Sequence, residues 1–95
     1  MDGEFVVRPG QVWADNDVRC KGRTVRVAEV GPLTAICEIL TNSDAHQEYV
    51  DGVRSVAGYR PDDMRGMRTE IKLRRFRPTS TGYRLLEDVT DAPVA

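Results

Sequence analysis

Arg23-Thr24-Val25-Arg26-Val27-Ala28-Glu29-Val30-Gly31-Pro32-Leu33-Thr34-Ala35-Ile36-Cys37-Glu38-Ile39-Leu40 is the stretch that decides the fold. Val25 and Val27 alternate with Thr24, Arg26 and Ala28, the period of two expected of a strand with one face buried. Gly31-Pro32 interrupts the run and forces a reversal. Beyond it Leu33, Ala35, Cys37 and Ile39 share one face, and Glu38 lies on the other. Residues 23–30 and 33–40 therefore predict a β-hairpin.

The same pattern extends outward. Upstream, Arg8-Pro9-Gly10 leads into a strand at Gln11-Val12-Trp13-Ala14, and Asp15-Asn16-Asp17 reads as a turn closed by Asx side chains on their own backbone. Trp13 is expected to plug one end of the core, because a chain of 95 residues needs every large ring inside. Downstream, Arg68-Thr69-Glu70-Ile71-Lys72-Leu73 turns Thr69, Ile71 and Leu73 inward and its charges outward. Arg74-Arg75-Phe76-Arg77-Pro78 cannot continue as a central strand, since Pro78 lacks a backbone donor. A short 3₁₀ turn burying Phe76 suits it. Thr79–Gly82 is a turn cluster, and Tyr83-Arg84-Leu85-Leu86 makes a fifth strand.

Five short strands predict one mainly β domain over residues 1–95. The expected architecture is a small five-stranded SH3-like barrel, closed because an open sheet of this size leaves its pairing edges bare. An OB-fold is the alternative, with five strands and a helix in the third connection. Residues 7–40 and 68–87 form the barrel, residues 88–95 a fraying tail, and residues 41–67 a long insertion between the third and fourth strands. Asp44-Ala45-His46-Gln47 fits a relaxed capping box with Asp44 as N-cap. Ala45, Tyr49, Val53, Val56 and Ala57 then fall on one helical face, with Gly58 as the stop. Gly52 opposes that helix, and a small hairpin around Asp51-Gly52 is the rival.

The formal charge is −1, which excludes a coat of bulk positive charge. Its distribution is uneven. Residues 18–30 carry +3 (Arg19, Lys21, Arg23 and Arg26 against Glu29), and residues 68–86 carry +5 (Arg68, Lys72, Arg74, Arg75, Arg77 and Arg84 against Glu70). Residues 1–17, 31–67 and 87–95 carry −3 each. Arginines beside a ring such as Trp13, Phe76 or Tyr83 make the local signature of a phosphate-and-base surface. A solvated charged face is the plainer alternative.

Catalytic patterns are missing. No spaced glycines end in a Lys-Ser/Thr pair, and no nucleophile elbow surrounds Ser43, Ser55 or Ser80. His46 lies in a polar segment and is expected to face solvent. Asp15/Asp17 sit in a turn where they have a structural role, and Asp62/Asp63 lack the glycine and distal Glu of a calcium loop. Neither metal nor cofactor is expected. Cys20, among basic neighbours, is read as an exposed thiol and Cys37 as a small core residue. No apolar run approaches the ~20 residues of a membrane span. Met1-Asp2-Gly3-Glu4 is acidic where a signal peptide is positive, so a cytoplasmic location is expected.

Arg8–Asp17, Lys21–Val27 and Phe76–Leu85 resemble small proteins of unknown function from actinobacteria and their bacteriophages. The likeness covers residues 8–40 and 68–87 and leaves 41–67 outside. It implies a compact barrel like those of KOW and SH3-like domains and a phage origin, and it brings no catalytic residue. The expectation is a non-enzymatic binding module with no small-molecule substrate. Its partner is nucleic acid, held by Arg23, Arg26, Arg68, Lys72, Arg74, Arg75, Arg77 and Arg84. The alternative is a protein, a host protein or virion component, docked through Tyr49, Val53, Arg54 and Tyr59 of the insertion or along a sheet edge.

Overall fold

The computed structural model describes residues 6–58 and 61–89. Five strands run β1 (Val12–Asp15), β2 (Thr24–Val30), β3 (Thr34–Thr41), β4 (Arg68–Lys72) and β5 (Tyr83–Glu87). One helix, α1 (Asp44–Val50), follows β3, and 3₁₀ turns occupy Val18–Cys20 and Leu73–Arg75. The strands form one open antiparallel sheet in the order β4-β3-β2-β1-β5. The chain meanders from β1 to β4, and β5 then returns to the free side of β1, so β4 and β5 are the two edges.

The period-two reading places the core. Val25, Val27, Ala35, Cys37, Ile39 and Ile71 are buried on one face of β2, β3 and β4, together with Trp13, Phe76 and Tyr83. Phe76 follows the second 3₁₀ turn and its ring centroid lies 5.0 Å from Trp13, edge to face, and 5.6 Å from Tyr83, stacked. Leu33 departs from its expected inward position. It sits at the tip of the β2–β3 hairpin, where its carbonyl accepts from the Leu73 N–H at 2.9 Å but its side chain is left 77% exposed.

Gln11 is buried beside Trp13 with every amide group used. Its Oε1 accepts from the Arg8 backbone N–H at 2.8 Å and from the Trp13 indole N–H at 3.2 Å, and its Nε2 donates to the Val6 carbonyl and to Asp88. This one side chain ties the entry of β1 to the exit of β5, and its satisfaction is what allows an amide there.

The insertion holds a shorter helix than its apolar spacing predicts. Ser43, not Asp44, is the N-cap, its Oγ accepting from the His46 N–H at 3.2 Å. The helix ends where Gly52 takes φ +77°. The Gly52 N–H donates to the Tyr49 carbonyl and the Val53 N–H to the Glu48 carbonyl, the paired bonds of a Schellman cap. Gly52 is therefore the stop signal, and Val53 and Val56, expected on the buried helical face, are exposed.

Candidate nucleic-acid interface

The fold sorts the eight predicted arginine and lysine residues into two groups of three and leaves Arg74 and Arg77 outside both. On the outer face of the sheet Arg26 stands opposite Glu38, which stands opposite Arg68. Arg68 also approaches Glu29 at 3.6 Å. Lys72 pairs with Thr34, whose hydroxyl donates to Glu70 at 2.9 Å. Opposite charges alternate directly across these strands and stabilise the sheet, so Arg26, Arg68 and Lys72 belong to a mixed face. None of them lines the hollow at the end of β1 that holds Arg84; Arg68 shares a different hollow with Arg23, and Lys72 one with Arg74.

The second group gathers where β1 leaves the sheet. Asp15, Asn16 and Asp17 turn the chain as their side chains predict, with the Asp17 N–H donating to Asp15 Oδ1 at 3.0 Å. Asp17 then caps the 3₁₀ turn and binds Arg19 through Nε at 3.0 Å and Nη2 at 2.6 Å. The Arg19 side-chain and backbone bonds hold the Asp17 carboxyl down to about 2. Arg23 lies 3.7 Å from the buried Asp15 carboxylate. Arg84, on β5 opposite Ala14, donates to Asn16 Oδ1 at 2.8 Å. Arg75 lies over the Tyr83 ring at 5.1 Å from its centroid and donates to the Thr81 carbonyl.

Lys21, Arg23 and Arg84 thus line one open hollow of about 240 Å³, with Asp15, Asn16, Asp17 and the apolar Val18 and Leu86. Both carboxylates are engaged, Asp17 by Arg19 and Asp15 by the turn backbone and Arg23. Arg74 stands elsewhere, beside Pro32, Leu33 and Lys72. Arg77 is exposed and its carbonyl buttresses Gly82, where a Cβ would lie 2.2 Å from that oxygen. Lys21, Asn16 and Arg19 join the predicted residues here; the charge run at 18–30 contains two of them, whereas Asn16 reads only as a turn residue.

Trp13 and Phe76 lie inside the core as expected, and with Tyr83 also inside, none of the rings beside the arginines is free to stack on a base. The Tyr83 hydroxyl is buried without a hydrogen-bond partner among the described residues, and burial pushes its pKa up. Cys37 is likewise core, its thiol pushed up to about 11 by burial. Cys20 and His46, read as solvent-facing, are each half-buried and line a different hollow with Arg23 and Arg68. Of the predicted protein-docking residues, Tyr49 is half-buried on α1, Val53 is exposed, Arg54 pairs with Glu48 at 3.4 Å, and Tyr59 lies outside the described residues. No described helix is long and apolar enough to cross a membrane. The chain matches no family model, and no curated protein or solved structure is significantly similar to it.

Proposed function

We propose that this chain is a non-enzymatic binding module that contacts the phosphate backbone of nucleic acid through the basic end of its sheet. The observation that carries the reading is the convergence of Lys21, Arg23 and Arg84 on one hollow whose carboxylates are already engaged. Arg75, held over Tyr83, extends that surface along β5. With the aromatic rings buried, recognition rests on phosphate charge and is indifferent to base identity. An SH3-like barrel is the scaffold that fits best. Residues from every strand, including the edge residues Ile71 and Tyr83, enter one core cluster, which favours a sheet curled about its inner face. The meander with β5 beside β1, and a 3₁₀ turn before β5, supports that scaffold over the Greek-key order of an OB-fold.

The test is binding of a fluorescent DNA duplex and single strand at low salt by wild type and two paired variants. Lys21→Glu with Arg84→Glu strongly weakens binding on this account, and Arg26→Glu with Lys72→Glu leaves most of it. Equal loss in both pairs, or no binding by the wild type, contradicts it. A protein partner is the second reading, favoured by the exposure of Val53 and Val56 after α1. Retention of the same partner after replacing both by Ser overturns that one.

A further inference from the structure

We propose that the hollow between the first 3₁₀ turn, α1 and β4 is a second site, for a small organic phosphate. It measures about 350 Å³ and is lined by Cys20, Arg23, Ile39, Asn42, Ser43, His46, Met64, Arg68 and Thr69. That size suits a compact ligand. No carboxylate lines it among the described residues, in contrast to the hollow beside Asp15 and Asp17. Its two guanidinium groups come from opposite ends of the sheet sequence, Arg23 ahead of β2 and Arg68 on β4, and converge only through the fold.

The donors match a tetrahedral dianion. The guanidinium groups of Arg68 and of Arg23, the latter also 3.7 Å from Asp15, present paired N–H groups to oxygen. Ser43 and Thr69 add hydroxyls, and Ser43 Oγ, accepting from the His46 N–H, keeps its own proton available to donate. Ile39 and Met64 offer apolar surface to the organic portion. Arg68 is weakly committed, its contact with Glu29 being 3.6 Å long with both side chains more than half exposed. An incoming phosphate replaces that pair at little cost.

The rim is built to hold its shape. Asn42 Nδ2 donates to Gln47 Oε1 at 2.7 Å and to Asp63 Oδ1 at 3.0 Å, while its Oδ1 accepts from the Met64 N–H. His46 Nε2 lies 2.6 Å from the Asp62 carbonyl; a carbonyl only accepts, so the proton is on Nε2. Helix α1 and residues 62–64 are thereby clamped together across the opening, and the lining side chains are pre-positioned.

The site is independent of the proposed nucleic-acid surface except at Arg23, so the decisive variants are at Arg68 and Thr69. The experiment is a titration of the amide NMR spectrum with phenyl phosphate, inorganic phosphate and benzoate. The expected result is saturable shifts at Ser43, His46, Arg68 and Thr69 with phenyl phosphate, weaker binding of the other two, and about tenfold or greater loss in Arg68→Gln. Thr69→Val weakens it by a smaller factor, and neither variant changes DNA affinity by the same factor. Absence of saturable shifts there, benzoate binding as tightly as phenyl phosphate, or unaltered affinity in Arg68→Gln overturns the proposal, whatever the outcome with DNA.

Discussion

Replacing Phe76 by Ala tests whether the turn between β4 and β5 is held by the core. The ring is 3% exposed and contacts Trp13 and Tyr83 at centroid distances of 5.0 and 5.6 Å. Truncating a buried Phe costs about 3–5 kcal/mol, of which each aromatic pair accounts for roughly 0.5–1.5. We expect about 4 kcal/mol, because two rings lose a partner and the 3₁₀ turn is too short to collapse into the space. A chain of this length has a total stability of about 5–14 kcal/mol, so the variant keeps about 1–10 kcal/mol and is only marginally folded at the lower end. Phe76→Leu fills most of the volume but loses both aromatic pairs, and should cost about 1–3 kcal/mol. Urea unfolding followed by the fluorescence of the single Trp and by far-ultraviolet circular dichroism measures both. A loss below about 1 kcal/mol for Phe76→Ala refutes the packing, and with it the mechanical link between the core and Arg75.

Gln11→Leu should cost about 1–3 kcal/mol in the same assay, since the Trp13 indole and Arg8 N–H lose their buried acceptor. Gly82→Ala should destabilise by about 1–3 kcal/mol, because its Cβ would meet the Arg77 carbonyl at 2.2 Å and backbone must move; an unchanged urea midpoint contradicts this close approach. Asp17 titrates near 2 in the folded chain and near 3.9 unfolded. The unfolded state therefore binds more protons in that window, and the stability Asp17 contributes is whole above about pH 4 and disappears as pH falls through about 2. Asp17→Asn should flatten the urea midpoint against pH there. A thiol reagent should modify Cys20 quickly and Cys37 only at the rate of opening, as one is half-buried and the other fully covered with a raised pKa; two equally fast thiols contradict the placement of Cys37.

What was legible in the sequence was what alternation and chain-breaking residues encode. Val25, Val27, Ala35, Cys37, Ile39 and Ile71 declared their buried face because a strand has only two faces to choose between. Phe76 declared its turn because Pro78 cannot extend a ladder. Register was hidden: nothing local says that Arg26 meets Glu38 and Glu38 meets Arg68, which is why eight cations read as one surface when they form two groups of three with Arg74 and Arg77 apart. Gly52 told against a helix running through it but not that a shorter one stops there, because its cost within a helix and its value just past one are the same property, freedom at positive φ. Gln11 was hidden because an amide is buried only when four partners converge, and those partners lie in three separate segments. Cys20, His46 and Arg68 come together only through the β3–β4 connection.

The proposal that the basic end of the sheet acts through phosphate charge is tested most directly by the salt dependence of DNA binding. Each phosphate contact on duplex DNA contributes about −0.9 to the slope of log K against log salt. Contacts from Lys21, Arg23, Arg75 and Arg84 predict a slope of about −3 to −4, reduced by about 2 in the paired Lys21→Glu, Arg84→Glu variant where binding is still measurable. A wild-type slope shallower than about −1, or one that the paired substitutions leave unchanged, contradicts the account.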